Sequence, residues 1–322
     1  MNRFNNITDV PGIKVGNAED RHAFTGCTVV LAEEGAVCGA DVRGSAPGTR
    51  ETDLLNPLNL VDRVHAICLS GGSAYGLDAA SGVMQYLEER GHGLHVGVGV
   101  VPIVPAAVLF DLSVGNPKVR PDKQMGYQAA SRAERGRFPF GNVGAGCGAT
   151  IGKAAGYQRA MKGGLGSASR HYSNGLIVGA IVAVNAMGEI RDPSTGQILA
   201  GARDDDGKIR SSLDWMAEQP LNPLSGGTNT TIGAVASNAN LTKAQACKVA
   251  SMAHDGLART IYPVHTMYDG DTLFALATGG VNASVDLVGA ASAEVMAEAV
   301  LAAVRSAEGI DGFPSYRDLF HN

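Results

Sequence analysis

The sequence predicts a mixed α/β (α+β) fold, and three observations carry that expectation. Apolar runs of strand length alternate along the chain with amphipathic stretches of helical period. Hydrophobic residues make up 45% of the 322 residues and charged ones only 18%, enough for a substantial core in one large domain or two average ones. The 43 glycines, against 13 prolines, are spread without a repeat, which excludes a collagen-like or linker composition and points to tight turns and close backbone contacts.

A formal net charge of -5 leaves no electrostatic footprint for nucleic acid. Cys27, Cys38, Cys68, Cys147 and Cys247 are odd in number, far apart and free of C-x-x-C pairs, so buried thiols in a reducing compartment are expected instead of a disulfide framework or a zinc site. Met1 to Val10 lacks an apolar signal core, and no uninterrupted apolar run reaches about 18 residues. The expectation is a cytoplasmic chain with no membrane partner.

Taken in order, Gly26 to Arg43 reads as two strands joined at Glu33-Glu34-Gly35, a hairpin signal. The loop Gly44 to Thr52 is too rich in Gly, Pro and hydroxyls for an element interior, and Arg43, Arg50, Glu51 and Asp53 around it are expected to pair on the surface. His65 to Leu69 is a buried strand. It feeds S-G-G-S-A-Y-G and a helix with Leu77, Ala80, Met84 and Leu87 on one face, stopped by Gly91. That turn matches neither a nucleophile elbow, which needs Gly where Tyr75 stands, nor a dinucleotide fingerprint.

Val96 to Leu112, broken by Pro102 and Pro105, reads as an extended segment entering a buried helix. Asn116 to Phe140 is a charged surface excursion with a short helix. Gly141 to Gly166 brushes against a phosphate-binding loop, but Cys147 and Ala154 break the pattern. Its glycines are expected to admit close backbone approach around an embedded Lys153, which is either snorkelling or functional. Leu176 to Val184 is a buried strand ending at Asn185, whose amide could cap a turn or donate to an oxyanion.

Asp204-Asp205-Asp206 is a solvated turn without calcium-loop spacing, and residues 203–229 form an exposed connection. The stretch N-P-L-S-G-G-T-N-T-T-I-G-A-V-A-S-N, Asn222 to Asn238, then passes from turn residues through Asn229-Thr230-Thr231 into a strand. Two readings fit: a turn entering a buried strand, or a hydroxyl placed to attack the preceding carbonyl and free Thr230 as a new N-terminus. A free α-amine titrates at about 7.7 to 8.0, so it can serve as a base beside its own hydroxyl.

Thr242 and Gln245 form a capping box for a helix buried through Ala246, Val249, Ala250, Ala253 and Leu257, with His254 and Asp255 near its end. Asp269 and Asp271 flank Gly270 just before a strand, Thr272 to Thr278. Residues two apart share a side there, so both carboxylates can converge on one point, an arrangement that costs stability unless paired. A last helix over residues 292–306 packs through Val295, Met296, Ala299 and Ala303.

With I-T-D-V-P-G-I-K-V-G, G-S-A-P-G-T-R-E-T, S-G-G-S-A-Y-G-L, V-P-I-V-P-A-A-V-L-F-D-L, M-K-G-G-L-G-S-A-S, V-G-A-I-V-A-V-N, N-T-T-I-G and D-G-D-T in this order, nearly the whole chain resembles the L-aminopeptidase/D-esterase (DmpA-type) family. That group also holds β-peptidyl aminopeptidases and nylon-oligomer hydrolases. The resemblance implies a four-layer αββα sandwich of the N-terminal-nucleophile kind and a precursor that cuts itself at Asn229-Thr230 into residues 1–229 and 230–322. Thr230 is then the nucleophile and Thr231 only its neighbour, because Ala236-Ser237-Asn238-Ala239 falls where the family's small-residue pattern follows.

Asn185 matches the family's oxyanion donor, and Asp269 and Asp271 match its acidic or hydroxyl pair. Asp-Asp together with Lys153 is similar to the nylon-oligomer branch, although Lys162 lies close by in another glycine run. Cys147 and Ser237 depart from the family pattern without touching the implied chemistry. The resemblance further implies a small peptide or amino-acyl amide substrate, no metal or cofactor, and assembly as four cleaved heterodimers. Its rivals are a 6-aminohexanoate-type endo-amidase, an acyltransferase like the ornithine acetyltransferases, and a ligand-binding protein that never cuts itself.

Overall fold

A nine-stranded sheet, folded so that it forms two layers, organises the chain in the computed structural model, which describes residues 3–218 and 228–320. Its strands are β1 (Lys14–Asp20), β2 (Thr25–Val42), β3 (Thr49–Arg50), β4 (Arg63–Ser70), β5 (Ala106–Val108), β6 (Gly164–His171), β7 (Ile177–Asn185), β8 (Thr230–Ala239) and β9 (Thr272–Val281). The order is β6-β7-β8-β9-β2-β4-β5-β3, with β1 beside β2. The helices are α1 (Ala79–Glu88), α2 (Lys123–Ser131), α3 (Ser212–Glu218), α4 (Lys243–Thr260), α5 (Val285–Ser306) and α6 (Tyr316–Phe320).

Strand alternation explains the layers. Odd residues Cys27, Val29 and Leu31 of β2 pack with α1 and α2, while even residues Val30, Ala36 and Cys38 enter a core to which none of the α-helices contributes. That middle core joins them to Ile181 and Ala183 of β7, Ile232, Ala234 and Ala236 of β8, and Phe274 and Leu276 of β9. The opposite face of β7, β8 and β9, through Val182, Val235 and Leu273, meets α4 and α5. The result is helix, sheet, sheet, helix, the αββα sandwich that the family likeness implies.

One expected hairpin is absent. Residues 25–42 are a single strand, whose first half pairs with β4 and whose second half pairs with β9. Gly35, at φ +78°, takes part in a register shift between Leu31 and Ala36 instead of a reversal, since the same residue types serve a bulge or a turn. This strand carries the chain from one sheet layer to the other.

Nor is there a helix in residues 96–112: that segment runs extended through β5, where Cys68 N–H donates to Pro105 O and Val108 N–H to Gly48 O. The last long helix also starts earlier than its apolar pattern, at Val285, because Ser284 caps it. The capping box of Thr242 and Gln245 and the buried face of α4 are as expected. In the glycine-dense zone, a Cβ on Gly166 would meet Ala299 O of α5 at 2.2 Å, which is the close approach that the composition called for. Asn222, Pro223, Ser225, Gly226 and Gly227 lie outside the described residues.

Helix α5 is long and apolar enough to cross a membrane, with mean hydropathy 1.7, but 67% of that window is buried in the protein. Against β6, β7 and α4 it acts as a core helix.

Candidate active site

Three strand ends converge at one end of the sheet. Antiparallel pairing sets Asn185, the last residue of β7, opposite Thr230, the first of β8. Parallel pairing of β8 with β9 aligns Ile232 with Thr272, and so brings Asp269 and Asp271 beside the start of β8. Asn229 and Asp269 already form a parallel bridge. Topology therefore collects four polar side chains, those of Asn185, Thr230, Asp269 and Asp271, from three distant stretches of sequence.

With the Asn229-Thr230 bond intact, the Thr230 hydroxyl donates to the carbonyl oxygen of Asn229. That same oxygen accepts the Gly270 N–H at 3.0 Å. A Cβ on Gly270 would lie 2.9 Å from Thr230 Oγ1 and 2.6 Å from Ala46 O, so the contact needs glycine. Thr230 is only 3% exposed, and its carbonyl neighbour carries a donor aimed at the atom that would become negative on attack.

Asn185 is fully buried, and its amide orientation follows from its partners. Oδ1 accepts from Thr150 N–H at 2.9 Å, a group that can only donate, and from Lys153 Nζ at 3.0 Å. Nδ2 must then face the other way, where it donates to Phe110 O at 3.0 Å and Thr228 O at 3.4 Å. The donor thus points at the stretch just before Thr230.

Lys153 sits in a short 3₁₀ turn after Gly152. Its Nζ also donates to Thr150 O at 2.7 Å, Thr150 Oγ1 at 3.1 Å and Asn185 O at 3.0 Å. Burial pushes its amine well below the ordinary lysine value, against the pull of the Asp269 charge. Lys153 contacts Asn185 and Thr150, while Asp269 acts on it through space. Lys162, the other candidate, is equally enclosed but donates to Gly146 O, Ala149 O and Gly163 O at 2.8 to 3.0 Å. Burial lowers its pKa to about 7, and its three hydrogen bonds tie down the glycine zone.

The two carboxylates are held differently. Asp269 Oδ2 accepts from Thr266 N–H at 2.8 Å and Thr266 Oγ1 at 2.5 Å. Burial, and then the charge of Asp271, raise its pKa to about 6. Asp271 Oδ1 accepts the Thr231 N–H at 2.6 Å, and Oδ2 takes the His265 N–H at 3.1 Å and lies 2.8 Å from His265 Nδ1.

The loop after β2 supports this pair through its backbone: Arg43 N–H reaches Asp271 O at 3.0 Å and Ala46 N–H reaches Asp269 O at 2.9 Å. The charge of Arg43 goes to Asp41 and the Ser251 carbonyl, and Arg50 goes to Ser81. His265, Thr150 and Gly270 were not singled out by sequence reasoning for roles here. Only Gly270, between two aspartates, carried a visible signal. Among the described residues no group of three or more His, Cys, Asp or Glu side chains is placed to hold a metal ion.

A model of peptidase family S58 matches residues 5–317. An uncharacterized aminopeptidase of Mycobacterium tuberculosis is 45% identical over 345 residues, covering 98% of this chain and 98% of its own. A 6-aminohexanoate-oligomer endohydrolase of Kocuria sp. is 35% identical over 315 residues, 92% of this chain and 85% of that protein. Among solved structures, a Burkholderia sp. β-aminopeptidase superposes with TM-score 0.68 at 22% identity, over 95% of this chain and 87% of that one.

The L-aminopeptidase D-Ala-esterase/amidase of Ochrobactrum anthropi, described as a new variant among the Ntn hydrolase fold, gives TM-score 0.71 at 18% identity, over 94% and 86%. Matched from end to end by the family model and by relatives of its own length, the chain belongs to peptidase family S58 and is a hydrolase of peptide bonds built on the Ntn hydrolase fold.

Proposed function

We propose that the chain cuts itself between Asn229 and Thr230 and then hydrolyses amides of amino acids or short peptides through the freed Thr230. The observation that carries this reading is the Thr230 hydroxyl resting on the Asn229 carbonyl, whose oxygen is also bonded to the Gly270 N–H. In self-cleavage Oγ1 bonds to the Asn229 carbonyl carbon, the C–N bond breaks, and the hydroxyl proton ends on the Thr230 nitrogen. Water then splits the ester, leaving the Asn229 carboxylate and a free Thr230 amine.

In turnover that amine takes the hydroxyl proton as Oγ1 attacks the substrate carbonyl. Asn185 Nδ2, relieved of Thr228 O once the preceding stretch departs, donates to the oxyanion. Lys153 holds the Asn185 amide in the required orientation. Asp269 and Asp271 orient the ammonium and the start of β8. The leaving amine departs with a proton, and water releases the acid from the Thr230 ester.

The Asp269, Asp271 and Lys153 combination and the 35% identity to a 6-aminohexanoate-oligomer endohydrolase favour ω-amino amides as a second substrate class. Unpaired, mostly buried thiols fit a reducing cytoplasm, and four cleaved heterodimers are the proposed assembly. Intact mass of the purified protein tests the central step: two chains beginning at Met1 and Thr230 are expected, and Thr230→Ala should stay full length and inactive. A Thr230→Ala chain cut at the same bond would overturn the assignment. A panel of α-, β-, D- and ω-amino anilides then sorts the substrate class, and an added amine acceptor separates hydrolysis from acyl transfer.

A further inference from the structure

We infer that His265 is a positioning residue for this chemistry, acting through Asp271 to fix the start of the strand that carries the nucleophile. The inference rests on the Thr230 reading above. His265 adopts φ +59°, a left-handed conformation uncommon outside glycine. In that conformation its main-chain N–H and its ring Nδ1 both reach Asp271 Oδ2, at 3.1 and 2.8 Å. Since Oδ2 is a carboxylate oxygen, Nδ1 carries the proton.

This double contact leaves Oδ1 for the Thr231 N–H at 2.6 Å. His265, Asp271 and the first peptide of β8 therefore form one continuous chain of hydrogen bonds ending one residue from Thr230.

The ring is fixed from its other side as well. His254, buried on α4, meets the His265 ring edge-on at 4.7 Å between centroids and is itself anchored 3.0 Å from Asp41 O. Among the described residues, the Nε2 atom of His265 and the Nδ1 atom of His254 are buried without hydrogen-bond partners. The titratable groups that meet the ring are Asp271 in its own loop and His254 on α4; behind them stand Asp269, which feels the charge of Asp271, and Asp41 and Arg43, which act on His254. Burial lowers His254 to about 4, so at neutral pH it presents an uncharged ring to His265. A histidine used only as filler would not need a left-handed backbone to place two donors on one carboxylate oxygen.

Two variants test the role. His265→Ala removes the ring donor but keeps the main-chain one. His265→Asn restores a side-chain N–H near the place of Nδ1 and tolerates a positive φ. In His265→Ala, kcat is expected to fall about tenfold or more with KM nearly unchanged, the loss of one hydrogen bond to a charged group. His265→Asn should return kcat to within about threefold of wild type.

Wild-type kcat in a folded His265→Ala, or a loss that falls on KM instead of kcat, would overturn the inference, and so would a folded His265→Asn as impaired as the alanine variant. Melting temperature identifies folded protein. The appearance of the Thr230 terminus in wild type is scored separately, so failure of the nucleophile reading is distinguished from failure of the His265 role.

Discussion

Asp269 and Asp271 flank a single glycine, yet their surroundings differ: one is capped by Thr266, the other by Thr231 and His265. With its pKa raised from 3.8 to about 6, Asp269 keeps its proton in the folded state over a range where the unfolded chain has lost it. Its contribution to stability is therefore complete below about pH 3.8 and lost as pH rises through about 6. Activity that needs the charged carboxylate should run the opposite way, rising through about pH 6, and Asp269→Asn should abolish that limb. Parallel pH-rate and urea-unfolding series check both signs.

Asn185→Ala should lower kcat by about 10² to 10³. If Lys153 acts through that amide, Lys153→Met should add little to Asn185→Ala, which a double-mutant cycle measures. Sequence reasoning reached Asn185, Thr230 and the two aspartates through motif order. It had no means of reaching His265, whose part depends on a left-handed backbone six residues from its partner.

At the level of single elements, local signals were the most legible. Thr242 and Gln245 announced the start of α4 because a capping box is complete within four residues, and Thr242→Ala should cost about 1 kcal/mol in denaturant unfolding. The hairpin expected at Glu33-Glu34-Gly35 was misread because Gly35 bends β2 without reversing it, and that choice is made by distant partners, β4 and β9. The helix expected before Leu112 failed likewise, since pairing with β4 and β3 keeps β5 extended. Packing makes its own demand at Gly166, where α5 leaves no room for a side chain. Gly166→Val should destabilise by about 1 to 3 kcal/mol or more, read as a lowered melting temperature.

Across the whole molecule, the four-layer arrangement was legible only through family likeness, because alternation within β2 cannot say that its two halves serve different layers. The proposed cut leaves two pieces that share one sheet: β8 lies between β7 and β9, and β9 in turn pairs with β2. Cleaved protein should therefore elute from a sizing column as one species under native conditions and separate into two chains only in denaturant. The place of β8 has a further consequence for reactivity. An ordinary chain terminus wanders, and aligning its amine with a hydroxyl would surrender rotational freedom at every catalytic cycle. Here β7 pairs with Thr230 and Asp271 holds the next peptide N–H while the chain is still intact, so under the proposed mechanism that freedom is given up once, during folding, and each incoming amide would meet a nucleophile of high effective molarity.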